Sequence, residues 1–206
     1  MTQTDETLKR FENDTKDHVL DVKLDDGVHR HMRWGRPGSS VYHVNVTTWP
    51  GHLCISGDMG CFVFARVHDM FTFHRRREGD KPGNVSLGYW AQKLQATDKP
   101  IGHEEFDEDY FAEWVDECVA AFIEAYAISG SDVDELREEI EHDILDRRHD
   151  GEHVACQALY DFRWANLFVF PEPCDWPSFK RPTHHFVWCC LAIEEVIDAY
   201  DSMEKE

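Results

Sequence analysis

Apolar and polar positions alternate along most of His18 to Phe64, where HVLDVKL, VHRHMRW, SVYHVNVTTW, HLCIS and CFVFARV are parted by DDG, GRPGS, PG and GDMG. A period of two marks half-buried strands and the spacers carry turn chemistry, so the pattern predicts an antiparallel meander of about five strands. Asp26-Gly27 supplies a residue tolerant of positive φ, and Pro37-Gly38 and Pro50-Gly51 preset the next bends.

Beyond Phe64 the period lengthens. Val67, Met70, Phe71 and His74 fall at helical spacing ahead of the basic run Arg75-Arg76-Arg77, and LGYWAQKLQA places Tyr89, Trp90 and Leu94 on a second short amphipathic helix. FDEDYFAEWVDECVAAFIEAYA sets Phe111, Trp114, Val115, Cys118, Val119, Phe122 and Ile123 on one stripe with acids opposite. SGSDVDELREEIEHDILDRRHDG reads as one more acidic helix, capped by Ser131 or Asp132, striped by Val133, Leu136, Ile140 and Ile144, and stopped by Gly151.

A further helix is expected over EHVACQALYDFRWA, then a proline-punctuated connection over FVFPEPCDWPSFKRP. THHFVWCCLAIEEVIDAY is apolar through most of its first three turns, so it reads as a helix buried on the sheet and opened by a Thr183 cap. Strands first and helices afterwards define an α+β fold class, an N-terminal antiparallel β-meander packed against C-terminal acidic helices. The expected organisation is a polar N-terminal arm over 1–17, a short helix or a frayed segment anchored by Leu8 and Phe11, and a single α+β domain over 18–206. Within it, 18–100 hold the sheet with short helices and 101–206 the acidic helical part.

Charge changes this picture most. Of the net charge of −20, residues 1–100 contribute 14 Lys and Arg against 13 Asp and Glu, whereas residues 101–206 contribute 7 against 28. Such a segment repels nucleic acid and favours a basic protein surface; the plainer reading is a solvated face that keeps the chain in solution. At 206 residues with 42% hydrophobic positions the chain is long enough to bury a core. No apolar run reaches the roughly 18 residues of a membrane span and the N-terminus lacks a signal-peptide core, so a cytoplasmic location is expected. Seven Cys in no repeated spacing read as reduced, mostly buried thiols.

Candidate chemistry is sparse. His29 and His31 share one strand face as ligands for a metal or phosphate would, and with Arg30, Arg33, Arg36, Arg66 and Arg75 to Arg77 they form a candidate phosphate or nucleic-acid patch on which Trp34 stacks a base. The competing reading pairs those arginines with the acidic helices of the same chain, or with those of a second copy in a homodimer. Asp58, in the GDMG turn and near His52 and His68 in sequence, is the best single carboxylate candidate, although an acid there is also ordinary turn chemistry. His149, His153 and Cys156 have metal-like spacing that the Asp150-Gly151 break interrupts. His185 and Cys189 have the spacing of an activated thiol, in a helix where Cys serves better as a buried hydrophobe. No acid pair, catalytic triad, Walker loop or dinucleotide fingerprint assembles, so neither catalytic residues nor a cofactor or metal is assigned.

With DDGVHRHMRW, WPGHLCISGDMGCFVFARVHDMF, GYWAQKL and HFVWCCLAI in view, the sequence resembles a family of phage and prophage accessory proteins without an assigned function, from about His18 to Tyr200. The resemblance carries no catalytic residues and implies only context: service to the phage in the host cytoplasm, including the blocking of host defences of the CRISPR or restriction type. Helices studded with carboxylates imitate the charge of DNA and suit the basic groove of a nuclease or defence effector. The leading expectation is therefore a non-enzymatic inhibitor that engages its partner through Glu104, Glu105, Asp107, Glu108, Glu113, Asp134, Glu135, Glu138, Glu139 and Glu141. Two alternatives stand beside it: an enzyme or ligand sensor with a pocket where sheet and helix meet, and a nucleic-acid binder through the basic strand.

Overall fold

A computed structural model describes residues 3–77, 79–99 and 102–203. The chain divides into two compact units, the first made of Met1–Glu104 with Pro182–Glu206 and the second of Glu105–Arg181. The sequence pattern, which reads 18–206 as one domain, holds no mark of this division. Glu105–Arg181 is an insertion between the sheet of the first unit and the helix that completes its core.

The first unit is built on six antiparallel strands in chain order: β1 (Val19–Asp26), β2 (His29–Gly35), β3 (Val44–Trp49), β4 (His52–Gly57), β5 (Gly60–Ala65) and β6 (Leu94–Thr97). Five are the strands the alternation predicts. The sixth replaces the second half of the expected LGYWAQKLQA helix. There a short helix ends at Ala91 and the chain turns to pair Leu94 with Phe64 and Thr97 with Phe62. Pairing with the open edge of β5 satisfies a row of backbone groups there, and this tertiary gain outweighs the helical spacing.

Alternation puts Met32, Trp34, Val44, Val46, Leu53, Ile55, Phe62 and Phe64 on one buried face. The last long helix of the chain (His184–Met203) joins these residues in one core, with Phe186, Trp188, Ile193 and Ile197 buried. Thr183 opens it as its sequence predicts, its hydroxyl accepting from Phe186 N at 3.3 Å. Of the two forms open to the polar arm the structure takes the helix, α1 (Gln3–Thr15), whose Phe11 lies 5.1 Å from the Trp188 ring and 5.9 Å from Trp34. One well-placed aromatic anchors this otherwise polar segment. Two short helices complete the unit, α2 (Met70–His74) and α3 (Leu87–Ala91).

In the second unit, α4 (Glu108–Ala125) and α5 (Ser131–Ile140) bury Phe111, Val115, Val119, Phe122, Leu136 and Ile140, the stripes their periodicity predicts. The residue before α5 is Gly130 at φ +66, and no side chain caps that end, neither Ser131 nor Asp132. α5 also stops earlier than predicted. A π turn over Glu141–Leu145 and a 3-10 turn over Asp146–Asp150 follow, and the π turn's slower rotation per residue brings adjacent Ile144 and Leu145 both into the core. Gly151 at φ +104 separates these turns from α6 (Glu152–Asp161). The strands β7 (Glu104–Phe106) and β8 (Lys180–Pro182), where the chain passes between units, pair with each other, and the chain's last helix is α7.

Candidate functional site

Residues 105–181 hold 21 acidic against 6 basic side chains, and the fold of this unit decides which of them face outward. Because the apolar stripes of α4 and α5 fill its core, the intervening positions project into solvent: Glu113, Asp116, Glu117 and Glu124 from α4, and Asp132, Asp134, Glu135, Glu138 and Glu139 from α5, with Glu141 just beyond. Asp107 caps α4, its carboxylate accepting from Tyr110 N at 3.1 Å, and Glu108 and Asp109 in the first turn complement the helix dipole.

Geometry sorts the predicted acids into two groups. Glu105 accepts from Arg181 at 2.9 Å, Asp107 lies 3.7 Å from the same guanidinium, and Glu108 meets His149 at 2.5 Å. These three are occupied within the unit. Glu104, in the first unit, sits 3.7 Å from His103. Glu113, Asp134, Glu135, Glu138, Glu139 and Glu141 are exposed and have no cationic partner among the described residues. Glu117 and Glu124 share this state. Their place on the face was legible from their spacing to Glu113.

Along α5, Asp134 faces Glu138 and Glu135 faces Glu139 at i,i+4, and Glu113 faces Glu117 on α4. Each like-charge pair costs a helix about 0.2–0.5 kcal/mol. The unit therefore carries a small, repeated destabilisation on this face.

The basic strand is built differently from the patch its sequence suggests. Arg30 is 8% exposed and points to the core side, where both terminal nitrogens donate to Asp69, at 2.9 and 3.1 Å. Its guanidinium stands 4.5 Å from the Phe71 ring centre, and its Nε lies 3.8 Å from Asp25, which accepts from the Tyr200 hydroxyl at 3.0 Å. Trp34 is a core side chain, so it cannot stack a base. Arg33 donates to the Ser39 carbonyl and Arg36 pairs with Asp17. Arg30 and Arg36 are thus paired within their own chain, but with Asp69 and Asp17 rather than with the acidic helices. His29 is exposed, while His31 is half-buried and shares a 2.9 Å hydrogen bond with Thr47.

Asp58 accepts from Tyr42 N at 2.8 Å, and its own N–H donates to the His43 carbonyl, so this carboxylate staples the β4–β5 turn to the backbone ahead of β3. His52 stacks on Trp49 with ring centres 5.1 Å apart. The GDMG segment is thus accounted for as a hairpin: Gly57, at φ +155, passes so close to β3 that an added Cβ would stand 2.2 Å from the His43 carbonyl.

Thiol chemistry is disfavoured at five of the seven cysteines. Burial pushes the Cys54 thiol up to about 12 and Cys118 to about 11, and raises Cys156, Cys189 and Cys190 as well. Cys189 donates to the Met59 carbonyl at 3.5 Å and has no bond to His185. Among the described residues no three His, Cys, Asp or Glu side chains gather as a metal would require, and no helix is long and apolar enough to cross a membrane. Comparison with family models, curated proteins and solved structures finds no match for this chain.

Proposed function

We propose that this chain is a non-enzymatic binding protein that presents the acidic face of α4 and α5 to a basic surface on another protein, one that otherwise holds nucleic acid. The observation that carries the reading is the set of exposed carboxylates at Glu113, Asp134, Glu135, Glu138, Glu139 and Glu141, none within 4 Å of a cationic nitrogen among the described residues. A basic groove would supply the missing counter-charge and relieve the repulsion between helical neighbours, so association gains where the free protein loses. In the phage setting that the sequence resemblance implies, the partner is a nuclease or defence effector of the host, and the chain is its inhibitor.

The test is capture from host lysate by the tagged protein, compared with a variant carrying Glu113→Lys, Glu135→Lys, Glu138→Lys and Glu139→Lys. The reading expects partners that are lost in the variant, are released at high salt and are displaced by double-stranded DNA. Partners retained by the folded variant, or capture of the bait alone, would overturn it.

A further inference from the structure

The first unit contains a cavity of about 730 Å³ walled by α2, α3, Arg75–Arg77, Asp80, Asn84–Ser86 and Glu194 of α7. The size suits a small organic molecule. Along one side stand the rings of Phe73 and Tyr89, 5.6 Å apart between centres, with Tyr89 43% exposed. His74 lies beneath them, packed edge-on against Trp90 at 4.3 Å, its Nδ1–H donating to the Met70 carbonyl.

The basic run Arg75-Arg76-Arg77 lines the same cavity, and its three members are not equivalent. Arg75 gives Nε and Nη2 to the two oxygens of Asp201, at 2.6 and 2.7 Å. Arg76 is held by Asp198 and lies 3.6 Å from Glu195. Arg77 has no carboxylate partner for its guanidinium among the described residues. The Arg77 guanidinium is therefore the one left without an ion pair, while the backbone N–H of Arg77 donates to the Asp80 carboxylate at 3.3 Å. Two carboxylates, Asp80 and Glu194, also line it and work against any anion, so an occupant keeps one negative charge only by meeting the Arg77 guanidinium directly. A planar guanidinium fork accepts a carboxylate through two parallel hydrogen bonds, and ring faces hold flat aromatic groups.

We propose that this cavity binds a small planar aromatic carboxylate, its charged end held by Arg77 and its ring against Phe73 and Tyr89. The hydroxyl of Ser86, which makes no capping bond to α3, and the side-chain amide of Asn84 stand in the lining to orient polar substituents. The site uses residues of the first unit only, so it stands or falls independently of the acidic face.

Calorimetric titration of the full chain with benzoate and indole-3-acetate, each beside its neutral amide, tests the proposal. The acids are expected to bind about ten- to a hundred-fold more tightly than the amides. Arg77→Ala, at an exposed position without an ion pair to lose, should erase that ratio, and Tyr89→Ala should weaken acid and amide alike. Failure of every probe to bind at about 5 mM, equal affinity for acid and amide, an Arg77→Ala protein that keeps the preference, or inorganic phosphate binding as well as the aromatic acids would each overturn it.

Discussion

Arg30 of β2 and Asp69, the residue that caps α2, form a two-pronged ion pair at 2.9 and 3.1 Å. The same carboxylate accepts from Phe71 N at 3.0 Å, so one acid closes a helix end and neutralises a buried cation. Burial alone would raise the Asp69 carboxyl; the hydrogen bonds from Arg30 and Phe71 outweigh it and hold the group below the ordinary carboxylate range.

Asp69→Asn removes the charge and leaves Arg30 with only the more distant Asp25, 3.8 Å from its Nε. Breaking a buried pair costs about 3–5 kcal/mol, and the partial exposure of Asp69 puts this case near the lower figure. Urea unfolding at pH 7 measures the loss. Because the folded carboxyl titrates below its unfolded value of about 4, its stabilisation is fully present above that pH and disappears as pH falls through the lowered folded value. The stability gap between wild type and Asp69→Asn should close accordingly in acid.

His74 predicts a second pH dependence, in a different window. It is 1% exposed with Nε2 unpartnered, and burial drives its imidazole from 6.5 down to about 3 despite the Met70 bond. Between those values the unfolded chain takes up a proton that the folded chain refuses, so stability falls with falling pH, by about 1.4 kcal/mol per unit at most. Denaturation midpoints from pH 7 to pH 4.5 should show this slope in the wild type, and His74→Phe should flatten it.

Neutralising the like-charge pair on α5 separates function from stability. Glu135→Gln with Glu139→Gln should raise stability by about 0.2–0.5 kcal/mol, since it removes an i,i+4 repulsion between exposed groups. Measured against partner capture, the pair should move in opposite directions, more stable and less able to bind. A pair of changes that lowered the melting temperature would mean these acids have favourable contacts in solution.

Gly57 and Gly27 both adopt positive φ yet should respond differently to alanine. At Gly27 (φ +61) a new Cβ meets nothing, so Gly27→Ala should cost about 1–2 kcal/mol from the left-handed conformation alone. At Gly57 the Cβ would collide with the His43 carbonyl, a backbone atom that cannot turn aside. Gly57→Ala should therefore be the more destabilising of the two by thermal melting, and should loosen the β3–β4 pairing.

What the sequence made legible follows from which forces are local. Strand alternation, the stripes of α4 and α5 and the Thr183 cap are written in neighbouring residues, and the structure repeats them. β6 was missed because Leu94 owes its conformation to Phe64, thirty positions away. For α1 the sequence left helix and frayed arm open, because a single buried aromatic, Phe11, draws its binding energy from Trp34 and Trp188 rather than from a repeated pattern. The acidic face was plain in composition, but which of its carboxylates are occupied depends on Arg181 and His149, remote in sequence from Glu105 and Glu108. Arg30 misled for the same reason: a basic strand looks like a ligand patch until Asp69 is found beneath it.

The placement of residues 105–181 between β6 and α7 also sets an order of events during synthesis. All six strands leave the ribosome before any of α7, and at about 5–20 residues per second the interval is on the order of 5–20 seconds. Through that time Met32, Val46, Ile55 and Phe62 have been made but the helix that shares their core has not. The nascent first unit is then a half-built sheet with its apolar face uncovered until α7 is made.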